Sequence, residues 1–66
     1  MRVTVNGQER SVFVNLSVDD LVTSLAAARR GVAVAVNGTV VPRSSWAEVT
    51  LADGDTVEVL TAAQGG

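Results

Sequence analysis

The stretch that decides the fold runs from Ser17 to Val36 and reads SVDDLVTSLAAARRGVAVAV. Ser17 is a favourable helix N-cap, and Asp20 places a negative charge in the first turn. Gly31 can take the left-handed conformation that ends a helix, and the apolar run after it has the length of a strand. The stretch therefore predicts a helix that leads into a central, well-covered strand. Its apolar stripe has the i, i+3, i+4, i+7 spacing and consists of Val18, Leu21, Val22 and Leu25.

A β-hairpin is predicted before this stretch. Residues 1–5 alternate apolar and polar side chains, Asn6-Gly7 suits the positive φ angles of a two-residue turn, and residues 9–14 form the return strand. In such a hairpin Val3 lies opposite Arg10. We expect the core face of the hairpin to carry the apolar residues Met1, Val3, Val5, Val12 and Val14.

A second turn and a short strand are predicted after the stretch. Asn37-Gly38 turns the chain into residues 39–41, and Pro42 ends this strand because it has no N–H to donate to a ladder. The irregular segment 43–50 contains the only tryptophan, Trp46. We expect its side chain to close the edge of a small core rather than to bind a ligand.

The final strand covers residues 56–61. Its alternation turns Val57 and Val59 towards the core and leaves Glu58 and Leu60 on the outward face. The strand ends where the tail of the chain begins.

These elements combine into two layers, because the helix has one apolar stripe and the strands offer one matching face. The connection that contains the helix fits a crossover between the second and third strands. The sequence predicts an α+β fold, a β-grasp (ubiquitin-like) roll in which a mixed sheet of four to five strands packs on one helix. We expect residues 1–61 to form this domain and residues 62–66 to form a flexible C-terminal Gly-Gly tail.

The residue inventory argues against an enzyme. The chain of 66 residues contains no His, Cys, Lys or Tyr, which removes the usual general bases, thiolate nucleophiles, Schiff-base amines and commonest metal ligands. Its serines have no histidine to activate them, and so small a domain has little volume for a cleft that separates the pKa values of two carboxylates. We expect no catalytic residue, no metal site and no cofactor bound by the chain itself.

Charge and hydropathy narrow the range of partners. The formal net charge is −2, and the five basic residues are scattered except for Arg29-Arg30, which suits a helix C-terminus better than a partner-binding patch. We therefore expect no nucleic-acid binding. No apolar run reaches the roughly 18 residues of a membrane helix, and the first residues do not resemble a signal peptide. The expectation is a cytoplasmic protein that is monomeric when alone and does not bind membranes.

Two glycines, Gly65 and Gly66, end the sequence. A carboxylate on a flexible tether without side chains can thread a narrow channel and reach a nucleotide phosphate. Activation there would give an acyl-adenylate that a sulfur or nitrogen nucleophile can attack, with all catalysis supplied by a partner. Taken alone, the pair is also consistent with a frayed or cloned end.

The order of elements together with Gly65-Gly66 resembles the ubiquitin-like sulfur carriers. Within that group the chain is most similar to the thiamine-biosynthesis sulfur carriers, the ThiS family. The Val-Pro-Arg segment followed by Trp46 is more discriminating than the terminal glycines, which every carrier of this type shares. The resemblance covers the whole chain and is densest in Val34-Ala35-Val36-Asn37, Val41-Pro42-Arg43-Ser44 with Trp46, Asp53-Gly54-Asp55 and Gln64-Gly65-Gly66.

The resemblance implies a mechanism in which partner enzymes act on the tail. An E1-like adenylyltransferase (ThiF type) would adenylate the Gly66 carboxylate with ATP and magnesium, and a sulfur donor such as a cysteine desulfurase would allow its conversion to a thiocarboxylate. Thiazole synthase (ThiG type) would accept that sulfur in thiamine biosynthesis. By the same resemblance Gly65 and Gln64 complete the threaded tail, and the activating enzyme docks at Glu58 and Leu60. Glu58 departs from the apolar residue expected there.

The sequence is also compatible with three other functions. The same tail chemistry serves molybdopterin or cysteine synthesis in related carriers. A ubiquitin-like protein modifier is a second alternative, because the absence of lysine excludes polymers built through the chain's own side chains but not single attachment to a target. A plain interaction domain with idle terminal glycines is the third.

Overall fold

The computed structural model describes residues 1–25 and 30–61, and these ranges contain five strands and one α-helix. The predicted helix end at Arg29 and the predicted tail 62–66 lie outside the described residues. In chain order the elements are β1 (Arg2–Val5), β2 (Gln8–Ser11), α1 (Val18–Leu25), β3 (Val32–Val36), β4 (Thr39–Val41), a 3-10 turn (Arg43–Ser45) and β5 (Thr56–Thr61).

The strands form one mixed sheet in the order β2-β1-β5-β3-β4. β1 and β5 are parallel, and the other neighbouring pairs are antiparallel. The connection through α1 crosses from the edge strand β2 to β3, so the predicted crossover and the predicted β-grasp roll are confirmed. The expectation that residues 32–36 form the central, well-covered strand is wrong, because β5 inserts between β1 and β3. α1 covers one face only, and Val34 is the single fully buried residue of β3.

Both Asn-Gly pairs form the tight turns that the sequence predicts. Asn6 and Asn37 each have a φ of 51°, and Gly7 and Gly38 each have a φ of 84°. These positive angles match the right-handed twist of the flanking antiparallel strands. The predicted pairing of Val3 with Arg10 is confirmed by the register of β1 and β2.

The return strand of the first hairpin is shorter than predicted. β2 ends at Ser11, and its ladder closes with reciprocal backbone bonds between Met1 and Val12 of 2.8 and 2.9 Å. The chain then leaves the sheet, with Asn15 at a φ of 67°. Val14 is therefore 71% exposed instead of lying on the core face, and that part of the prediction is wrong.

The core lies between α1 and the inner face of the sheet. Ser17 caps the helix as predicted, because its Oγ accepts the Asp20 N–H at 3.0 Å. The predicted stripe faces inward, with three of its residues buried and Leu25 packed against them. No helix within the described ranges is long and apolar enough to cross a membrane. The buried residues are Val3, Val5, Val18, Leu21, Val22, Val34, Val41, Trp46, Leu51, Val57 and Val59.

The segment between β4 and β5 closes one end of the core. Trp46 follows the 3-10 turn and is buried, and its Nε1 donates to the Val41 carbonyl at 2.9 Å. The predicted structural role of Trp46 is confirmed. Before β5, Gly54 turns the chain at a φ of 88°, and the Asp53 carboxylate accepts the Arg2 N–H at 2.9 Å. This turn ties the start of β5 to β1.

Candidate functional site

The outward side of β5 carries the two residues that the sequence selects for partner docking. Val57 and Val59 point to the core, with exposures of 0% and 8%, while Glu58 and Leu60 between and after them lie on the opposite face. Leu60 is 65% exposed. The predicted alternation is therefore confirmed, and Leu60 is an uncovered side chain rather than a member of the core.

Leu60 belongs to a wider apolar surface. In the register of β3 with β5, Ala33 lies opposite Leu60 and Ala35 lies opposite Glu58. Ala35 also lies opposite Val40 of β4, which is 70% exposed. Directly opposed residues share one face of a sheet. We call Leu60, Ala33, Ala35 and Val40 the outer apolar patch.

Sequence reasoning identified Leu60 and missed the other members of the patch. The signal lay in the alternation of Val and Ala through β3, since Val34 is buried and Ala33 and Ala35 must face the other way. Val40 required the register of β4 as well. A pairing between segments that are distant in sequence was needed to bring these residues together.

Glu58 places one carboxylate beside this patch. It is exposed and sits between Thr56 and Leu60 on the outward side of β5. Within residues 1–25 and 30–61 its side chain has no hydrogen-bond or ion-pair partner, whereas Glu9 on the outer side of β2 pairs with Arg2 at 2.9 Å. The Glu58 carboxylate is therefore available to a donor from another molecule.

The base of the tail is held by the first hairpin turn. Asn6 donates from Nδ2 to the Val59 carbonyl at 3.0 Å and accepts the Val59 N–H at Oδ1 at 2.8 Å. β5 ends two residues later at Thr61. Gln64, Gly65 and Gly66, which the sequence selects as the working tail, lie outside the described residues.

The described residues contain no arrangement typical of an active site. No group of three or more His, Cys, Asp or Glu side chains in this part of the chain is placed to hold a metal ion. No polar or charged side chain among them is buried. An open, mainly apolar groove has Phe13, Leu16 and Asp20 in its lining, and Asp20 is the one carboxylate among its described lining residues.

The chain is similar in sequence to a protein family and to two curated proteins. The model of the ThiS family matches residues 3–66 of the chain. The sulfur carrier protein ThiS of Escherichia coli strain K12 is 30% identical over 66 residues, which cover all of both chains. A thiazole synthase of Paramagnetospirillum magneticum is 38% identical over the same length, and there the chain spans only 20% of the relative.

Solved structures agree with the fold. The crystal structure of a thiamine biosynthesis protein (ThiS) from Geobacter metallireducens has a TM-score of 0.82 and 38% identity, with complete coverage of both chains. The solution NMR structure of a thiamine biosynthesis protein from the same organism has a TM-score of 0.83 and 38% identity, covering all of this chain and 88% of the other.

Proposed function

This chain belongs to the ThiS family of sulfur carriers in thiamine biosynthesis, and we propose from this premise that its working group is the carboxylate of Gly66. The observation that carries the proposal is the family match over residues 3–66, which includes Gly65 and Gly66. The residue inventory agrees, since the chain lacks the side chains that most catalytic mechanisms use. The chain acts as a co-substrate, and its partners supply the catalysis.

The proposed reaction has three steps. A carboxylate oxygen of Gly66 attacks the α-phosphorus of ATP on an E1-like adenylyltransferase, with magnesium at that enzyme, and pyrophosphate leaves. A hydrosulfide equivalent from a donor system, such as a cysteine desulfurase, then attacks the acyl carbon and AMP leaves. On thiazole synthase the thiocarboxylate sulfur adds to a carbonyl carbon of the thiazole precursor, and the acyl group moves from that sulfur to the former carbonyl oxygen. The bond between that oxygen and the precursor carbon then breaks, so the sulfur stays on the precursor and the oxygen leaves with the regenerated carboxylate of Gly66.

Thiazole synthase is the acceptor that the relatives favour. A protein of that name contains a segment, a fifth of its length, that is 38% identical to this whole chain. A carrier-like segment and a thiazole synthase thus occur in one polypeptide in another organism. This supports thiamine synthesis over the same tail chemistry in another pathway.

The outer apolar patch is the proposed docking surface for the activating enzyme. Leu60 and Val40 are the two large apolar side chains that the sheet leaves exposed on this face. Exposed apolar surface beside a polar rim is typical of sites that bind proteins. The patch also lies on the strand that leads into the tail, so docking there brings Gly66 close to the partner's nucleotide.

Intact mass spectrometry tests the proposal. The purified chain with ATP, magnesium and the E1-like adenylyltransferase of the same organism should give the adenylate, and addition of a sulfide source should replace one oxygen of Gly66 by sulfur. Deletion of Gly66 should abolish both products. Ala63→Gly, which keeps the tail length and the terminal carboxylate, is the matched control and should react. Modification of the Gly66-deleted chain would refute the proposal.

A further inference from the structure

Asn6 holds β5 through its side chain as well as its backbone. Its N–H donates to the Val57 carbonyl at 2.9 Å, which continues the parallel ladder between β1 and β5. Its side-chain amide then bonds both backbone groups of Val59: Nδ2 donates to the Val59 carbonyl at 3.0 Å, and Oδ1 accepts the Val59 N–H at 2.8 Å. β1 has no further peptide to offer, because the chain turns away at Asn6-Gly7. The amide of Asn6 therefore replaces the missing peptide and extends the ladder.

This pair of bonds determines how far β5 is supported on both sides. On its β3 side the strand is paired as far as Thr61, which lies opposite Val32. On its β1 side the backbone pairing stops at Val57, and the Asn6 side chain carries it to Val59. Strand ends with hydrogen bonds on one side only open at a lower free-energy cost. Asn6 thus influences where the folded strand ends and the tail begins.

We propose that Asn6 is a positioning residue for the terminal carboxylate: its amide holds β5 closed through Val59 and keeps the tether that carries Gly66 short. The inference rests on the proposed function, since it concerns delivery of the same carboxylate to the activating enzyme. Asn6 itself touches neither the nucleotide nor the reacting atoms.

Tether length sets the size of the expected effect. With β5 closed, the tether consists of residues 62–66 and reaches at most about 17 Å, whereas opening of residues 58–61 would lengthen the reach to about 30 Å. Effective concentration falls with roughly the −3/2 power of tether length. For a change from five to nine residues this is about a twofold loss. Opening of residues 58–61 would also withdraw Leu60 from the outer apolar patch, so docking and presentation of the carboxylate weaken together, in proportion to the fraction of molecules in which β5 is open.

The second Asn-Gly turn provides a matched control. Asn37 has the same φ as Asn6, and its side chain also bonds the last strand, accepting the Thr56 N–H at 2.9 Å and donating to Asp55 Oδ1 at 3.0 Å. These bonds lie at the start of β5, away from the tail. Substitution by glycine keeps a residue suited to positive φ in either turn and removes only the amide. Asn6→Gly and Asn37→Gly therefore remove comparable bonds from opposite ends of one strand.

The experiment measures amide hydrogen exchange and adenylation kinetics for the wild-type chain and both variants. Asn6→Gly should accelerate exchange of the Val59 N–H about tenfold and lower kcat/KM about twofold, the loss expected when β5 is open in about half of the molecules. Asn37→Gly should accelerate exchange at Thr56 and leave kcat and KM unchanged. Asn6→Asp keeps the acceptor for the Val59 N–H and should recover part of kcat/KM.

Two outcomes would overturn the inference. Equal kcat/KM values in the two glycine variants would show that the amides act only through overall stability. A kcat/KM that is no higher in Asn6→Asp than in Asn6→Gly would exclude a role of the bond to the Val59 N–H. If the wild-type chain forms no adenylate, the proposed function fails, while exchange at Val59 still tests the support of β5. If the wild-type chain reacts and the variants do not differ, only the inference about Asn6 fails.

Discussion

The two faces of the sheet carry similar apolar side chains and differ in what covers them. On the inner face, Val57 and Val59 of β5 lie in the core and are almost fully buried. On the outer face, the same strand carries Leu60, and β4 carries Val40, both largely exposed. The inner side chains stabilise the fold because folding removes their surface from water. The outer side chains contribute little to folding because they stay exposed to water. Their burial would contribute free energy only to the binding of a partner.

Along the single strand β5, this difference separates the residues that stabilise the fold from the residues proposed for docking. Successive residues of a strand point to opposite faces, so neighbours in β5 belong to different environments. A substitution at 57 or 59 should change the free energy of unfolding, and one at 58 or 60 should change the reaction with the partner.

The largest expected effect is a loss of stability after a substitution on the inner face. Val57→Ala removes two methyl groups from a fully buried position and should lower the free energy of unfolding by about 2 kcal/mol. For a domain of this size the thermal midpoint should fall by about 8–16 °C. Denaturant unfolding followed by circular dichroism measures the change.

Leu60→Ala on the other face is the control for Val57→Ala. It deletes more atoms from the same strand, yet it should shift the free energy of unfolding by no more than about 0.5 kcal/mol. If Leu60→Ala lowered the free energy of unfolding as much as Val57→Ala, the two faces would not differ in their contribution to stability.

Local features of the fold could be predicted because short segments determine them. The cap at Ser17 depends on residues within one turn of the helix, and the register of the first hairpin follows from Asn6-Gly7. The inward position of Val57 and the outward position of Leu60 follow from alternation alone. The exposure of Val14 was missed because Asn15 takes a positive φ and the chain leaves the sheet early.

Features that depend on pairing between distant segments could not be predicted. β5 is central because it pairs with β1 and β3, and neither pairing is visible in β5 itself. The outer apolar patch requires the register that sets Ala33 opposite Leu60. The bond from Asn6 to Val59 joins residues 53 positions apart. Leu60 and Glu58, the residues proposed for docking, were selected by resemblance and alternation, whereas their neighbours in the patch could be identified only from the pairing of the strands.

The second-largest expected effect is a slower adenylation reaction after a substitution on the outer face. Leu60→Asp removes an apolar side chain from the proposed docking surface and adds a charge, so kcat/KM for adenylation should fall about tenfold, which equals about 1.4 kcal/mol. The thermal midpoint should stay nearly unchanged, because Leu60 is exposed in the free protein. Steady-state kinetics with the activating enzyme, together with a melting curve, measure both quantities.

The control for Leu60→Asp is the same new charge elsewhere on the outer face. Ser11 lies on β2, which is separated from β5 by β1, and it pairs with Arg2. Ser11→Asp should leave kcat/KM unchanged. A tenfold loss in both variants would show that the partner responds to overall charge and not to the outer apolar patch.

The smallest effect concerns Glu58, which lies beside the patch but is charged. Covering a carboxylate with a partner removes its hydration, which costs free energy unless the partner offers a hydrogen-bond donor or a positive charge. A partner that docks here should therefore place a cationic side chain beside Glu58. Glu58→Gln should then lower kcat/KM about threefold at low salt, which equals about 0.6 kcal/mol. Charges at the rim of an interface act mainly on the rate of association, and salt screens them. The difference between Glu58→Gln and the wild-type chain should therefore disappear near 0.5 M NaCl. Adenylation rates over a salt series measure this. Identical rates at every salt concentration would place Glu58 outside the docked surface and confine docking to the side of the patch formed by Leu60 and Ala33.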